Sequence, residues 1–181
     1  MAEPLILTMF TEKFEDAIPI FTIYMILLPT YPFRIGWILM ASGQTKFLLR
    51  LAILMSAINV ILSYYLITTL EGENRLLGIP FATVTVTWLS MFVIMYQSIS
   101  TLQLKISESY PWKKIATIIV LSLLSGIPIF ALLSLNLSNF LLLITSSIIY
   151  GVTFLYTTFK FDIWGKTELK LFNSFWKLES R

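Results

Sequence analysis

Residues 17–41, AIPIFTIYMILLPTYPFRIGWILMA, decide what kind of protein this is. At about 1.5 Å of rise per residue, a helix of this length reaches ~37 Å, which is enough to cross the roughly 30 Å hydrocarbon core of a bilayer with some tilt. Pro29 and Pro32 each remove a backbone N–H from its middle. We therefore expect a first membrane span with a kink at these prolines, whose freed carbonyl groups find partners inside the protein.

Arg34 is the one charged residue in this stretch. A guanidinium deep in a membrane costs about 2.5 to 3.5 kcal/mol on insertion scales, so it is expected to avoid lipid. One interpretation is that Arg34 binds an anionic group such as a phosphate, bidentately. The other is that it extends to the cytoplasmic interface or holds carbonyl groups that Pro29 and Pro32 free.

The composition excludes an ordinary soluble domain. Apolar residues make up 57% of the 181 residues and charged residues 13%, whereas about a quarter of a soluble domain is charged. The absence of Cys and His from the sequence removes thiolate nucleophiles, disulfides and imidazole bases. We expect an all-α, polytopic membrane helical bundle. We also expect no enzymatic activity, catalytic residues, cofactor or metal. The basic residues lie beside apolar runs, which argues against nucleic-acid binding.

Long runs without charge predict the remaining spans. Together the spans form a five-helix transmembrane domain at residues 17–159, after a short extracytoplasmic segment at 1–16. The tail, residues 160–181, mixes apolar and basic residues in the pattern of an amphipathic helix that lies in the headgroup region. Gly43 suits the C-terminus of the first span, and Pro80 suits the first turn of the third. The predicted spans are 17–41, 46–69, 79–103, 115–135 and 140–159.

Polar side chains recur at helical spacing on the second and third spans, so each set shares one face. Two neighbouring polar stripes either line a shared cavity or make the hydrogen-bonded helix contacts that Ser and Thr commonly make in membranes. If they line a cavity, the candidate substrate-binding residues are Arg34, Asn59, Thr83, Thr87, Ser90 and Gln97. The stripes consist of Ala52, Ser56, Asn59 and Ser63, and of Thr83, Thr87, Ser90 and Gln97.

Small residues recur on the fourth and fifth predicted spans. Ser122 with Gly126, and Ser147 with Gly151, are pairs at helical spacing. Such pairs usually mark close contacts between helices in membranes. We expect close packing at these positions and assign them no chemistry.

The distribution of Lys and Arg predicts the orientation, because cytoplasmic loops hold the excess of these residues. Of the 13, Lys13 and Arg75 lie on one side of the predicted spans, Arg34 lies within one, and the others lie on the opposite side. This bias predicts a multi-pass protein of the cytoplasmic (inner) membrane whose C-terminus is cytoplasmic. Because an odd number of spans then enters from outside, we expect the C-terminal piece of a longer protein.

Five short stretches carry a resemblance to a known family. They are AEPLI at 2–6, AIPIF at 17–21, ASGQTK at 41–46, INVIL at 58–62 and GIPFAT at 78–83. In these stretches the chain resembles the C-terminal lobe of polysaccharide flippases, which transport O-antigen and other lipid-linked oligosaccharides and belong to the superfamily of the MATE drug exporters. The matching residues are packing and turn residues rather than a reaction signature.

The resemblance implies a partial C-lobe of a MATE-like transporter. Its implied function is the flipping of polyprenyl-pyrophosphate-linked oligosaccharide across the membrane in polysaccharide biosynthesis, with Arg34 attracting the pyrophosphate. The implied partners are the lipid bilayer, the lipid-linked oligosaccharide, and either a missing N-terminal lobe or further copies of the chain. The alternative is a non-transporting membrane assembly subunit or an inert truncated gene product.

Overall fold

A computed structural model describes residues 2–10, 12–33, 35–133, 135, 137–161 and 163, without the side chains of residues 73 and 133. Arg34 and almost all of the predicted amphipathic tail lie outside the described residues. Every regular element in the described part is helical, in agreement with the predicted all-α class. Four of these helices are long and apolar enough to cross a membrane, which indicates a membrane protein.

The helices follow one another without any strand in the described part of the chain. Three short 3-10 helices, Glu12–Phe14, Leu28–Phe33 and Gly72–Leu77, connect some of them. The α-helices are α1 (Ala2–Phe10), α2 (Ala17–Met25), α3 (Gly36–Ala41), α4 (Thr45–Thr69), α5 (Gly78–Thr101), α6 (Ile106–Ser109), α7 (Trp112–Leu133) and α8 (Asn139–Lys160). The four of membrane-spanning length are α4, α5, α7 and α8.

The stretch predicted as the first span is not one kinked helix. The 3-10 helix Leu28–Phe33 separates α2 from α3. Pro29 and Pro32 lack the N–H groups that an α-helix would need here, and the N–H of Thr30 bonds to the carbonyl of Leu27, three residues back, at 2.9 Å. The prolines thus interrupt the helix at the predicted position, but they break it instead of bending it. A fifth membrane crossing stays a prediction.

The break frees the carbonyl group of Ile26. Pro29 has no N–H that could donate to this carbonyl oxygen, and the N–H of Thr30 donates to the carbonyl of Leu27 instead. The indole Nε1–H of Trp88, on α5, donates to the Ile26 carbonyl oxygen at 3.3 Å. The expectation that freed carbonyl groups find partners inside the protein is therefore confirmed at Ile26.

Replacing Trp88 by Phe is expected to lower the free energy of unfolding by about 1 kcal/mol, because the Ile26 carbonyl loses its donor. The measurement is unfolding of the purified chain in mixed micelles, followed by circular dichroism. Trp37→Phe is the matched control, since the Trp37 side chain is 66% exposed. An equal effect of the two substitutions would contradict a stabilising hydrogen bond at Trp88.

The described residues divide into two compact units, and the first extends over Met9–Tyr110. Within it α5 is the central element, because α2, α3 and α4 all pack against it. Leu51 and Met55 of α4 form a buried core with Val86 of α5. At the end of α4, the Arg75 Nε–H donates to the carbonyl of Ile67 at 2.9 Å, so a cation stabilises that helix C-terminus.

The turn between α3 and α4 confirms the prediction for Gly43. Its φ of +74° is in the left-handed region, which glycine adopts without steric cost. The N–H of Gly43 bonds to the carbonyl of Met40 at 3.1 Å, and the N–H of Gln44 bonds to that of Leu39 at 2.8 Å. This is the Schellman pattern of helix ends. It ends α3 so that α4 can begin at Thr45, two residues after Gly43.

The second unit contains α7, α8 and residues 3–8 of α1. Hydroxyl groups join α7 to α8: the Ser122 and Tyr150 oxygens are 2.6 Å apart, and Thr153 donates to the carbonyl of Ser125 at 3.2 Å. Such bonds are typical of helix pairs in membranes. α7 begins before the predicted residue 115, because the N–H of Ile115 already bonds to the carbonyl of residue 111.

Candidate functional site

An open cleft of about 580 Å³ lies in the first unit, between α3, α4 and α5. Its volume is within the range typical of sites for small molecules, roughly 300 to 1,000 Å³. The broken stretch forms one wall, and α4 and α5 form the others. We refer to this space as the α3–α5 cleft, and its polar lining consists of Ser56 and Asn59 of α4 with Thr87 and Ser90 of α5.

These four residues come from the two polar stripes that the sequence predicts. Helical spacing puts Ser56 and Asn59 on one face of α4, and Thr87 and Ser90 on one face of α5. Packing of α4 on α5 then brings the two faces to the same cleft. These four positions therefore lie as the first of the two interpretations of the stripes, a shared cavity, requires.

Two other predicted site residues, Thr83 and Gln97, do not line the α3–α5 cleft. The hydroxyl of Thr83 donates to the carbonyl of Ile79, one turn back in α5, at 3.0 Å. The amide Nε2 of Gln97 donates to Oε1 of Gln44, in the turn before α4, at 3.0 Å. Gln97 therefore makes the hydrogen-bonded helix contact that was the alternative to a cavity, while Arg34 lies outside the described residues.

Gln44 connects two residues of α5. Besides accepting from Gln97, it donates from Nε2 to Oγ1 of Thr101 at 2.8 Å. The hydroxyl of Thr101 donates in turn to the carbonyl of Gln97 at 2.8 Å. The two bonds of Gln44 hold the turn between α3 and α4 against the end of α5, and the third bond lies within α5.

The wall formed by the broken stretch could not be found by periodicity. The lining residues of this wall are at the end of the break or after it, and no helical pattern specifies the angle of that break. They are Phe33, Gly36, Trp37 and Met40. Trp37 and Met40 are 66% and 61% exposed. The nearest signal in the sequence is the proline pair itself, which indicates a change of direction without giving its extent.

Several polar groups of the cleft have hydrogen-bonding capacity to spare. Asn59 Oδ1 accepts from the hydroxyl of Ser63 at 3.3 Å, and the hydroxyl of Thr87 donates to the carbonyl of Thr83 at 2.7 Å. By contrast, the Nδ2 of Asn59 and the hydroxyls of Ser56 and Ser90 make no hydrogen bond within the described part of the chain. The cleft therefore offers free donors.

The lining of the cleft carries no charge at any residue that the structure describes. Nor do the described residues contain a group of three Asp, Glu, His or Cys side chains that could hold a metal ion. The ring of the lining residue Phe33 meets the ring of Tyr110 edge to face, with 5.3 Å between the ring centroids. Burial raises the pKa of the Tyr110 hydroxyl, so Tyr110 stays neutral at physiological pH.

Comparisons of the chain with family models, with curated proteins and with solved structures found no match. The cleft itself is thus the main observation that bears on function. Its concave surface, neutral donors and apolar side chains suit the binding of a molecule.

Proposed function

We propose that the chain is the C-terminal part of a transporter that flips polyprenyl-pyrophosphate-linked oligosaccharide across the cytoplasmic membrane during polysaccharide biosynthesis. The α3–α5 cleft is the observation that carries this proposal. It places Asn59, Thr87 and Ser90 together on helices of membrane-spanning length. Polar side chains that line a cleft within membrane-spanning helices are available to contact a substrate there.

The class of substrate comes from the resemblance of the five short stretches to polysaccharide flippases. A polyprenyl-linked oligosaccharide has an apolar chain, an anionic pyrophosphate and a neutral, hydroxyl-rich head. In the proposal Arg34 binds the pyrophosphate, because a guanidinium pairs with two phosphate oxygens and keeps its charge at any depth. The neutral residues Asn59, Thr87 and Ser90 contact the rest of the substrate.

The proposal includes five crossings, with the C-terminus in the cytoplasm, and a partner. Lys and Arg are concentrated on one side of the predicted spans, which supports this orientation. An open cleft needs a second surface to enclose a large substrate. An N-terminal lobe, or another copy of the chain, supplies that surface in the proposal.

Complementation of a flippase-deficient strain tests this function. The chain is expressed with an N-terminal flippase lobe, and surface polysaccharide is measured together with the amount of chain in the membrane. We expect export with the native chain, little export with Arg34→Gln and partial export with Arg34→Lys. Thr85→Val is the control, because Thr85 is on α5 but does not line the cleft.

Two results would contradict transport. One is full export with Arg34→Gln and also with Arg34→Lys, and the other is a lack of export by a native chain that is present in the membrane beside the lobe. If the chain fails to support export but copurifies with polysaccharide synthesis enzymes, the alternative function as a membrane assembly subunit is favoured.

A further inference from the structure

We infer that the α3–α5 cleft binds the neutral, hydroxyl-bearing head of a glycosylated amphiphile, with the apolar chain of that molecule against the methionine and aromatic side chains of the lining. This inference rests on the proposed function and deepens it, because it assigns the sugar to a named site. It also makes sugar binding independent of any charged group in the described lining.

The first reason is the depth of the free polar groups. Ser56 and Asn59 are each at least about ten residues, or roughly 15 Å, from either end of α4, and Ser90 is near the middle of α5. A polar group in hydrocarbon without a partner costs free energy. The Nδ2 of Asn59 and the hydroxyls of Ser56 and Ser90 therefore favour a ligand that brings hydrogen-bonding groups into the membrane.

The second reason is the kind of ligand that these groups recognise. The Asn59 Nδ2 donates only, whereas the Ser56 and Ser90 hydroxyls both donate and accept. A sugar hydroxyl also does both, so it can bond to either kind of group. A phosphate on its own fits poorly, because the described lining has no cation to offset the cost of removing its charge from water.

The third reason is the apolar part of the cleft. Trp37 and Met40 are largely exposed at one wall, and Met55 and Met91 lie deeper, where they are buried. An aromatic ring presents a flat apolar surface to the C–H groups of a sugar or a lipid chain. Methionine side chains adapt to irregular shapes. Polar and apolar surfaces thus meet in one cleft, as an amphiphile requires.

Photocrosslinking of the full chain in lipid nanodiscs tests this inference. The probe is n-octyl β-glucoside with a diazirine in its octyl chain, used below the concentration that dissolves the nanodisc. We expect saturable labelling of the segments around Trp37 and Met40, and competition by unlabelled octyl glucoside. Octyl tetraoxyethylene ether, which has the same tail and one terminal hydroxyl, is expected to compete much less.

Variants connect the binding to the free polar groups. Asn59→Leu and Ser90→Ala are each expected to raise the octyl glucoside concentration for half-maximal competition by about tenfold, the effect of one lost hydrogen bond to the ligand. Thr85→Val is expected to leave it unchanged. Circular dichroism checks that each variant is folded, and if Asn59→Leu is not, Ser90→Ala decides.

Competition by free glucose shows whether the hydroxyl groups that bind belong to a free sugar or to the head of a glycolipid. Competition by glucose at millimolar concentration indicates a site for the sugar itself, and competition by octyl glucoside alone indicates a site for a glycolipid. Equal competition by the glucoside and the oxyethylene ether would overturn the inference, as would unchanged competition in a folded Ser90→Ala variant. Octyl glucoside binding without export in the complementing strain would instead contradict transport and leave the sugar site standing.

Discussion

Replacing Gly78 by Val is expected to lower the free energy of unfolding of the first unit by about 2 to 3 kcal/mol, the cost of overpacking a close contact. Gly78 is buried at the start of α5, where that helix meets the end of α4. A Cβ at this position would lie 2.9 Å from Cβ of Leu66 and 3.1 Å from its carbonyl carbon. These atoms belong to the backbone or are next to it, so α4 and α5 would have to separate.

The measurement is unfolding in mixed micelles, followed by circular dichroism. Gly126→Ala and Gly151→Ala are matched controls, because a Cβ at either glycine meets no atom within 4 Å. In these helix interiors alanine is expected to leave stability unchanged or to raise it by up to about 1 kcal/mol. A loss at Gly78 no larger than that at the controls would show that α4 and α5 do not approach as closely as described.

The open space at Gly126 and Gly151 also corrects a prediction from the sequence. The small-residue pairs on α7 and α8 are expected to mark close contacts between helices, but within the described chain only Ser122 of the four forms one, with Tyr150. The most buried positions of α7 are Leu121 and Ser125. Spacing identifies small residues on a face, and it does not identify which face meets the neighbouring helix.

Replacing Gln44 by Leu is expected to lower the free energy of unfolding by about 1 to 2 kcal/mol. The substitution removes the bonds to Gln97 and Thr101 and leaves the Nε2 of Gln97 without its acceptor. Because interhelical hydrogen bonds in membranes average less than 1 kcal/mol each, the effect should not greatly exceed this range. The measurement is again unfolding in mixed micelles.

A double-mutant cycle of Gln44→Leu with Gln97→Leu separates the hydrogen bond from the change in apolar surface. We expect the combined loss to be smaller than the sum of the single losses, since both substitutions remove one shared bond. Ser42→Ala is the control in the same turn, because the exposed Ser42 hydroxyl bonds only to the carbonyl of Ile38. Strict additivity of the two losses would contradict the contact between Gln44 and Gln97.

The sequence by itself determined the membrane class, the four long helices and the turn at Gly43. These features depend on local properties, namely the length and hydropathy of a run and the backbone freedom of one glycine. Helical spacing also determined that Asn59 shares a face with Ser56, and Thr87 with Ser90. It did not determine that Gln97, on the same predicted stripe as Thr87, would bond to Gln44 and not line the cleft.

Only the tertiary structure decided how the broken stretch at Pro29 and Pro32 is held and what it faces. Trp88 reaches the Ile26 carbonyl, and Gln97 reaches Gln44, across more than 50 residues of chain. Contacts of this kind form when whole helices pack, and their free energies depend on neighbours that no local pattern encodes. The α3–α5 cleft is a product of that packing, because its third wall exists only where the broken stretch lies against α5.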